Sequence, residues 1–302
     1  MTYHIQLPTG WVSGAHLETA LGAAPGPLRS LDSAIKFEIP AGAALMVDAG
    51  VRLLSIANQL SLTGKRVTLD FDPEETSAYD YLNRIGFFDE LDSSVNVRPD
   101  RPKYSAASLY QGANKGLVEI ACLRPEKRDK SLPTRLETAL TSSISNERRR
   151  ERVGAAAYAL FSELVGNVYD HSETPLDGYA VLQVYKNGNS AKIAVSDSGK
   201  GLLETLRPSL PQHYPRLVGL NDTDLLMQAF REGISRHGRG HGTGLKLCAD
   251  HAIKLAANLE VRLPVSYVRL HAKRGELRSA TTFYGDMPLI WGTHLVFDFR
   301  LD

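Results

Sequence analysis

Short stretches in the first hundred residues alternate between hydrophobic and polar positions, and longer amphipathic stretches separate them. The segments IKFEIP and RVTLDF alternate with a period of two, which is typical of strands that bury one face. Between them, DAGVRLLSIANQLSLTGK predicts a helix that ends at Gly64, and SAYDYLNRIGFFDEL predicts another helix after Pro73. This alternation of strands and helices indicates an α/β domain.

A region rich in proline and charge follows, over residues 97–135. It contains VRPDRPKYS and RPEKRDKSLP on either side of one short strand candidate, LVEIACL. Such a composition is typical of the exposed links between domains. We therefore expect two domains, a smaller one over residues 1–132 that includes this link and a second one over residues 133–302.

The second domain has a clearer pattern of elements. A helix is predicted over about 151–171, opened by the charged run ERRRER, which is more typical of a solvated face than of a binding patch. The strands YAVLQVYKNG and NSAKIAVSDSG then form a predicted hairpin through Asn187-Gly188. After a stretch interrupted by Gly and Pro come the segments DLLMQAFREGI, a glycine cluster, LKLCADHAIKLA, and the strand candidates LEVRLPVSYVRLH, ELRSATTFY and THLVFDFRL. The fold class predicted for the whole chain is α/β (α+β).

Composition and charge limit the class of protein. The chain has 302 residues, of which 43% are hydrophobic and 23% charged, as in soluble globular proteins. Its 35 basic and 34 acidic residues nearly cancel, so neither nucleic acid nor a membrane surface is predicted as a partner. The two cysteines, Cys122 and Cys248, support neither a disulfide framework nor a zinc cluster. Because no signal peptide or membrane span is recognisable, we expect a cytoplasmic protein.

The first candidate for chemistry is a stripe of polar residues on the predicted helix FSELVGNVYDHS. Glu163, Asn167 and His171 recur every four residues, so they lie along one face of the helix. Taken alone, such a stripe is most often a solvated edge.

The second candidate is the segment KIAVSDSGKGLL. It places Asp197 at the end of an alternating strand, with Gly199 and Gly201 directly after it. A carboxylate fixed at a strand end can accept a hydrogen bond from an exocyclic amine, and glycines allow close approach to a flat ring. An ordinary strand-ending turn explains the same pattern.

The third candidate is SRHGRGHGTGL, residues 235–245, which precedes a predicted helix. Backbone N–H groups at glycine-rich helix starts form a seat for phosphate, although a flexible loop has the same composition. No Walker A loop occurs in the chain, and the dinucleotide motif G-x-G-x-x-G lacks its third glycine here. A metal site built from His237 and His241 would need further ligands, so it is disfavoured.

Together and in this order, the three segments resemble a known family. ELVGNVYDHS is similar to the N box, DSGKG to the D-x-G-x-G box and GHGTGL to the G-x-G-T-G-L box of the gyrase, heat-shock chaperone, histidine kinase and MutL superfamily of ATP-binding domains, the GHKL or Bergerat fold. The resemblance covers roughly residues 135–302. It implies a C-terminal Bergerat-fold α/β sandwich with ATP and Mg²⁺ as cofactors.

The resemblance also implies roles for the residues of the first two boxes. Asn167 would offer its side-chain oxygen to Mg²⁺, and Glu163 would orient or deprotonate the attacking group. Asp197 would accept a hydrogen bond from the amino group of adenine, while Gly199 and Gly201 would allow the ring to approach closely.

Roles in the remaining part of the chain follow in the same way. Residues 202–239 would form a mobile lid over the nucleotide, and Thr293 would lie near adenine. His171 is expected to be a helix-end residue and not a catalyst. The phosphates would be held by four residues of the third box: Gly240, Gly242, Thr243 and Gly244.

Within the superfamily, the chain resembles the anti-sigma-factor serine kinases, whose N box also has the pattern E-x-x-x-N-x-x-x-H. A conventional sensor kinase needs a phosphoacceptor histidine upstream of the N box, and residues 133–162 contain no histidine. The N-terminal elements are similar in order to a STAS domain, the fold that such kinases bind and phosphorylate. However, residues 47–50 offer no hydroxyl where the phosphoacceptor serine would lie. The STAS-like domain is therefore expected to be a docking surface or a degenerate regulatory copy.

These observations predict an ATP-binding regulatory protein with Mg²⁺-dependent ATPase or protein-serine kinase activity. Its partner would be a separate protein, with a STAS-domain protein or a sigma-like regulator as the candidate, and a homodimer is compatible with the sequence. The alternative is a non-catalytic interaction module that uses ATP to order its lid, as an anti-sigma-like or defence-system component.

Overall fold

The computed structural model describes residues 1–171, 174–236, 238, 243–273, 275–283 and 287–301. In these residues the chain forms a parallel sheet from its N-terminal half and an antiparallel sheet from its C-terminal half. Helices cover both sheets.

The N-terminal half, residues 1–116, alternates strands and helices as predicted. Its strands are β1 (Thr2–Gln6), β2 (Gly10–Val12), β3 (Ala34–Ile39), β4 (Ala43–Leu45), β5 (Arg66–Phe71) and β6 (Asn96–Arg98). Its helices are α1 (Gly14–Leu21), α2 (Gly26–Arg29), α3 (Val47–Leu62), α4 (Ser77–Arg84), α5 (Phe87–Glu90) and α6 (Ala106–Leu109). Four strands form an all-parallel sheet in the order β1-β3-β5-β6, while β2 pairs with β4 beside it.

Two departures from the predicted elements have simple physical causes. The single helix predicted over SAYDYLNRIGFFDEL is divided into α4 and α5 because Gly86 between them has a φ of 86°, which ends a right-handed helix. The apolar segment LEVRLPVSYVRLH likewise forms two strands and not one, since Pro264 lies in its middle and cannot donate a ladder hydrogen bond.

The C-terminal half is an antiparallel sheet with helices on one face. Its strands are β7 (Leu117–Leu123), β8 (Gly178–Tyr185), β9 (Ser190–Ser196), β10 (Asn258–Arg262), β11 (Tyr267–Lys273), β12 (Glu276–Phe283) and β13 (His294–Arg300). Its helices are α7 (Leu132–Thr141), α8 (Glu147–His171), α9 (Leu202–Leu206), α10 (Leu210–His213), α11 (Asp222–Glu232) and α12 (Thr243–Lys254). The strand order is β12-β11-β10-β13-β9-β8-β7, and the predicted β8–β9 hairpin is confirmed.

Strand β8 shows why this sheet is apolar on both faces. Its residues Ala180 and Leu182 belong to the same buried cluster as α7, α8 and α12. The alternate residues Tyr179 and Val181 belong to a second cluster with α3 of the N-terminal half. Successive side chains of a strand point to opposite faces, so the near-continuous apolar run YAVLQVY is accounted for by burial on both sides.

Helix α3 is therefore enclosed between the two sheets. It packs on β5 of its own sheet and on β8 and β9 of the other, and its residues from 47 to 60 are all buried. A helix that is buried all round is a core element, so the N-terminal half and the C-terminal sheet share one interior. The predicted fold class, mixed α/β with an α/β sandwich in the C-terminal part, is confirmed.

The division into domains 1–132 and 133–302 stays a prediction, as does the likeness of the first to a STAS domain. Strand β7 lies before that boundary in sequence, yet it pairs with β8 at the edge of the C-terminal sheet. Among the described residues, no helix is both long and apolar enough to cross a membrane.

Charged side chains are buried where the two halves meet. Glu18 on α1 lies 3.2 Å from Arg52 of α3 and 2.9 Å from Arg262 of β10, and all three side chains are at most 6% exposed. Asp48 of α3 accepts from the backbone N–H of Gly14 and pairs with Lys192 of β9 at 3.2 Å. The contact between the halves is thus specified by ion pairs as well as by apolar packing.

Candidate functional site

Helix α8 presents the predicted polar stripe beside its buried face. Leu160 and Leu164 are buried in the core under the sheet, whereas Glu163 and Asn167 are half-buried. Within the described part of the chain, neither Glu163 nor Asn167 forms a side-chain hydrogen bond or an ion pair. Among the described residues, no polar group therefore competes with a ligand for their oxygen atoms. The side chain of His171 lies outside the described residues.

The start of α12 lies directly against this stripe. A Cβ atom added to Gly244 would overlap the carboxylate of Glu163, so any larger residue there would displace that side chain. One turn further along α12, burial raises the pKa of the Cys248 thiol, and the charge of Glu163 raises it further. The predicted residues Glu163 and Gly244 are thus brought together.

Helix α8 also lies close to the end of β9. Gly178, at the start of β8, has no room for a side chain, because a Cβ atom there would overlap Val168 of α8 and lie 3.1 Å from the carbonyl oxygen of Ser196. Val168 follows Asn167, and Ser196 precedes Asp197. The stripe on α8 therefore adjoins the strand end that carries the predicted carboxylate.

Asp197 is held by backbone groups from two segments. Its two carboxylate oxygens accept from the backbone N–H groups of Gly199, at 2.8 Å, and Thr293, at 3.2 Å. The hydroxyl of Thr293 accepts from the backbone N–H of Leu202 at 2.9 Å. Thr293, which precedes β13, thus joins the Asp197 turn to the start of α9. Each carboxylate oxygen keeps a further acceptor position.

Two glycines allow these segments to approach each other. A Cβ atom on Gly292, whose φ is 93°, would overlap the backbone carbonyl of Asp197. A Cβ atom on Gly201, whose φ is 88°, would lie 2.7 Å from Cδ of Pro264. The packing of the chain therefore requires glycine at position 201, independently of the predicted close approach of the adenine ring. Gly292 was not predicted, although the Gly-Thr pair that precedes β13 is a recognisable signal.

Part of the predicted phosphate seat lies outside the described residues. This holds for Gly240 and Gly242, for the side chain of Thr243, and for His237 and His241 of the disfavoured metal site. The functional roles of all predicted site residues stay predictions. The described part of the predicted lid consists of short helices and 3-10 turns up to α11, because prolines at 208, 211 and 215 interrupt helical hydrogen bonding.

Comparison with known proteins relates part of the chain to a protein family. Residues 153–289 match the family described as histidine kinase-, DNA gyrase B-, and HSP90-like ATPase. The match includes Glu163, Asn167 and Asp197, whereas Thr293 lies beyond it. No curated protein and no solved structure matches the chain. The segment 153–289, which carries the α8 stripe and the Asp197 turn, is therefore an ATP-binding domain of the GHKL ATPase type.

Proposed function

We propose that this protein binds ATP with Mg²⁺ between α8 and the Asp197 turn, and hydrolyses it or transfers its γ-phosphate to a separate protein partner. The observation that carries the proposal is the open stripe of Glu163 and Asn167, which lies between the start of α12 and the strand end at Asp197. All three parts lie within the segment that matches the ATPase family, residues 153–289, which supports the proposal.

Recognition of adenine would depend on Asp197. A carboxylate accepts hydrogen bonds and cannot donate them, so it favours the amino group of adenine over the carbonyl oxygen of guanine. Asp197 is half-buried and is fixed by Gly199 and Thr293. A preorganised acceptor of this kind supports adenine as the base, with Gly199, Gly201 and Thr293 around it.

The phosphate end of the site would be formed by α8 and α12. Helix α12 has twelve residues and begins beside Glu163, so its free N–H groups and its partial positive charge face this region. Asn167 fits a Mg²⁺ ion because hard oxygen donors are what this cation prefers. The bound ion would neutralise phosphate charge. Glu163 would orient the attacking hydroxyl or water and accept its proton.

The N-terminal half is not expected to be the phosphoacceptor. Residues 47–50 at the start of α3 are buried, the backbone N–H of Val47 donates to the Tyr185 hydroxyl, and Asp48 pairs with Lys192. This end of α3 is covered by the C-terminal sheet of the same chain. The partner that we propose is a separate STAS-domain protein or a sigma-like regulator. The proposal is compatible with a monomer and with a homodimer.

Adenosine binding should depend on pH through Asp197. Burial raises the pKa of this carboxyl to about 6, although hydrogen bonds from Gly199 and Thr293 act in the opposite direction. The ionised form is the stronger acceptor, so we expect the affinity for adenosine to fall by up to about tenfold from pH 7 to pH 5. Adenosine is the suitable probe because it has no phosphate that titrates.

Titration calorimetry across this range, with Asp197→Asn as the control, checks the expectation. The variant should bind adenosine more weakly and without this pH dependence. A wild-type affinity that is constant from pH 7 to pH 5 would contradict it. In the ligand-free protein the same raised pKa means that the folded state binds the proton more tightly than the unfolded chain, so this group's contribution to stability falls as the pH rises from about 4 through 6.

The proposed activity is tested with ATP labelled at the γ-phosphate. The purified full chain is incubated with Mg²⁺ and labelled ATP, alone and with candidate partner proteins, and the label is followed as free phosphate or as phosphoprotein. We expect ATP binding together with one of these two products. Absence of ATP binding would overturn the proposal, whereas binding without turnover under all conditions would favour the non-catalytic ATP-gated module.

A further inference from the structure

Gln59 connects the N-terminal half to the loop segments of the candidate adenine site. It lies near the C-terminal end of α3 and its side chain is fully buried, with 0% exposure. Its Nε2 group donates to the hydroxyl of Ser198 and to the carbonyl of Trp291, each at 2.9 Å. Its Oε1 atom accepts from the backbone N–H of Trp291, also at 2.9 Å. One side chain thus satisfies three polar groups on two separate segments.

Both segments belong to the surroundings of Asp197. Ser198 follows Asp197 directly and precedes Gly199, whose N–H holds the Asp197 carboxylate. Trp291 precedes Gly292, which packs on the backbone of Asp197, and Thr293, which donates to the second carboxylate oxygen. Gln59 therefore fixes the two chain segments that together orient the carboxylate.

The carbonyl of Trp291 has a second partner in the interior. His294 Nε2 lies 3.1 Å from it, and burial beside Arg52 and Arg262 holds the pKa of His294 well below its usual range. The neutral ring can thus donate from Nε2 to the carbonyl. With the two contacts to Gln59, the peptide groups of Trp291 are held from both sides.

The segment 287–293 is attached to the N-terminal half at its other end as well. Gly26 packs against Pro288 so closely that a Cβ atom would overlap the proline ring, and Arg262, which pairs with Glu18 of α1, donates to the carbonyl of Pro288. The segment 287–293 lies between the N-terminal half on one side and Asp197 on the other. Its position depends on both.

We propose that Gln59 is a positioning residue of the nucleotide site, so that the N-terminal half completes the adenine pocket of the ATPase domain. The inference rests on the proposed function, since it assigns Gln59 to the site in which Asp197 receives adenine. Gln59 itself acts through Ser198 and Trp291. By thermodynamic reciprocity, nucleotide binding would in turn strengthen the attachment of α3.

The geometry makes Gln59 difficult to replace. Its planar amide donates and accepts at the same time, which matches the carbonyl and the N–H of Trp291. An apolar side chain of similar size would leave the N–H of Trp291 and the Ser198 hydroxyl buried without a partner and the carbonyl of Trp291 with His294 alone, so the segments would shift to regain hydrogen bonds. A displacement of the order of 1 Å at Asp197 is enough to impair recognition of a fixed amino group.

The test uses Gln59→Met in the full chain. We expect the affinity for ATP to fall by about tenfold or more and the ratio of ATP to GTP affinity to fall with it, as measured by calorimetry at unchanged binding stoichiometry. A residue with only a structural role would lower the melting temperature or the active fraction without changing this ratio. Ser198→Ala removes one of the three hydrogen bonds and should give a smaller loss in the same direction.

Tyr185→Phe is the matched control. It removes a hydrogen bond between α3 and the C-terminal sheet, from the N–H of Val47, at the opposite end of α3 and β8. We expect it to lower thermal stability while the affinities for ATP and GTP stay within about twofold of wild type. Equal losses of affinity in Tyr185→Phe and Gln59→Met would overturn the assignment, as would unchanged affinity in both Gln59→Met and Ser198→Ala. If the wild-type protein binds no ATP, the proposed function fails first, and the assignment fails with it.

Discussion

Glu163→Gln should remove most of the turnover of ATP while the protein still binds the nucleotide. We expect kcat to fall by roughly 10² to 10⁴, the range that is typical when a general base is removed. The amide of glutamine has almost the same shape as the carboxylate, so the close packing between Glu163 and Gly244 at the start of α12 is kept. What is lost is the ability to accept a proton from the attacking hydroxyl or water.

The measurement is steady-state release or transfer of γ-phosphate, together with calorimetric binding of a non-hydrolysable ATP analogue. Glu151→Gln is the matched control, since Glu151 lies on the same helix α8, is exposed, and stands three turns before Glu163. It should leave both quantities unchanged. Turnover in Glu163→Gln equal to that of wild type would exclude Glu163 as the base, and another group near α12 would then have to accept the proton.

Of the substitutions proposed for this protein, Glu18→Gln should lower the free energy of unfolding the most. The carboxylate of Glu18 lies between the guanidinium groups of Arg52 and Arg262, which are 1% and 0% exposed. Removing the negative charge leaves two buried positive charges without compensation, and breaking a buried ion pair in this way typically costs about 3–5 kcal/mol. Since Arg52 belongs to α3 and Arg262 to β10, the loss should appear as detachment of the two halves.

Urea unfolding of the variant and of the wild type gives the free energy of unfolding directly. Glu276→Gln is the control, because Glu276 pairs with Arg278 at 3.5 Å on the surface, where both side chains are more than half exposed. An exposed pair of this kind contributes about 0–1 kcal/mol. If Glu18→Gln is no more destabilising than Glu276→Gln, then water or another acceptor compensates the two arginines.

Much of the fold could be predicted from periodicity. The alternation in IKFEIP and RVTLDF corresponds to β3 and β5, and the apolar runs of the second half correspond to the strands of its sheet. Periodicity could not predict which element packs on each face of a strand. The run YAVLQVY predicts a strand but does not say that α3 covers its second face, because burial depends on contacts that are distant in sequence.

The candidate site was predictable to the extent that its chemistry follows local motifs. Glu163, Asn167 and Asp197 stand in short segments whose order resembles a known family, and the structure brings their elements together. Gln59 could not be found in this way, since its partners Ser198 and Trp291 lie 139 and 232 residues further along the chain. In the sequence it is one of several polar residues within the apolar run that forms α3, and nothing local separates it from the others.

The enclosure of α3 has a consequence for synthesis on the ribosome. This helix is made early, but the surface that covers its second face includes β9, which in turn pairs with β13 near the end of the chain. While the intervening residues are being translated, one apolar face of α3 remains without its native cover. Such transiently exposed surface is prone to aggregation. The nascent chain thus exposes this face of α3 to chaperones until β8, β9 and β13 have been made.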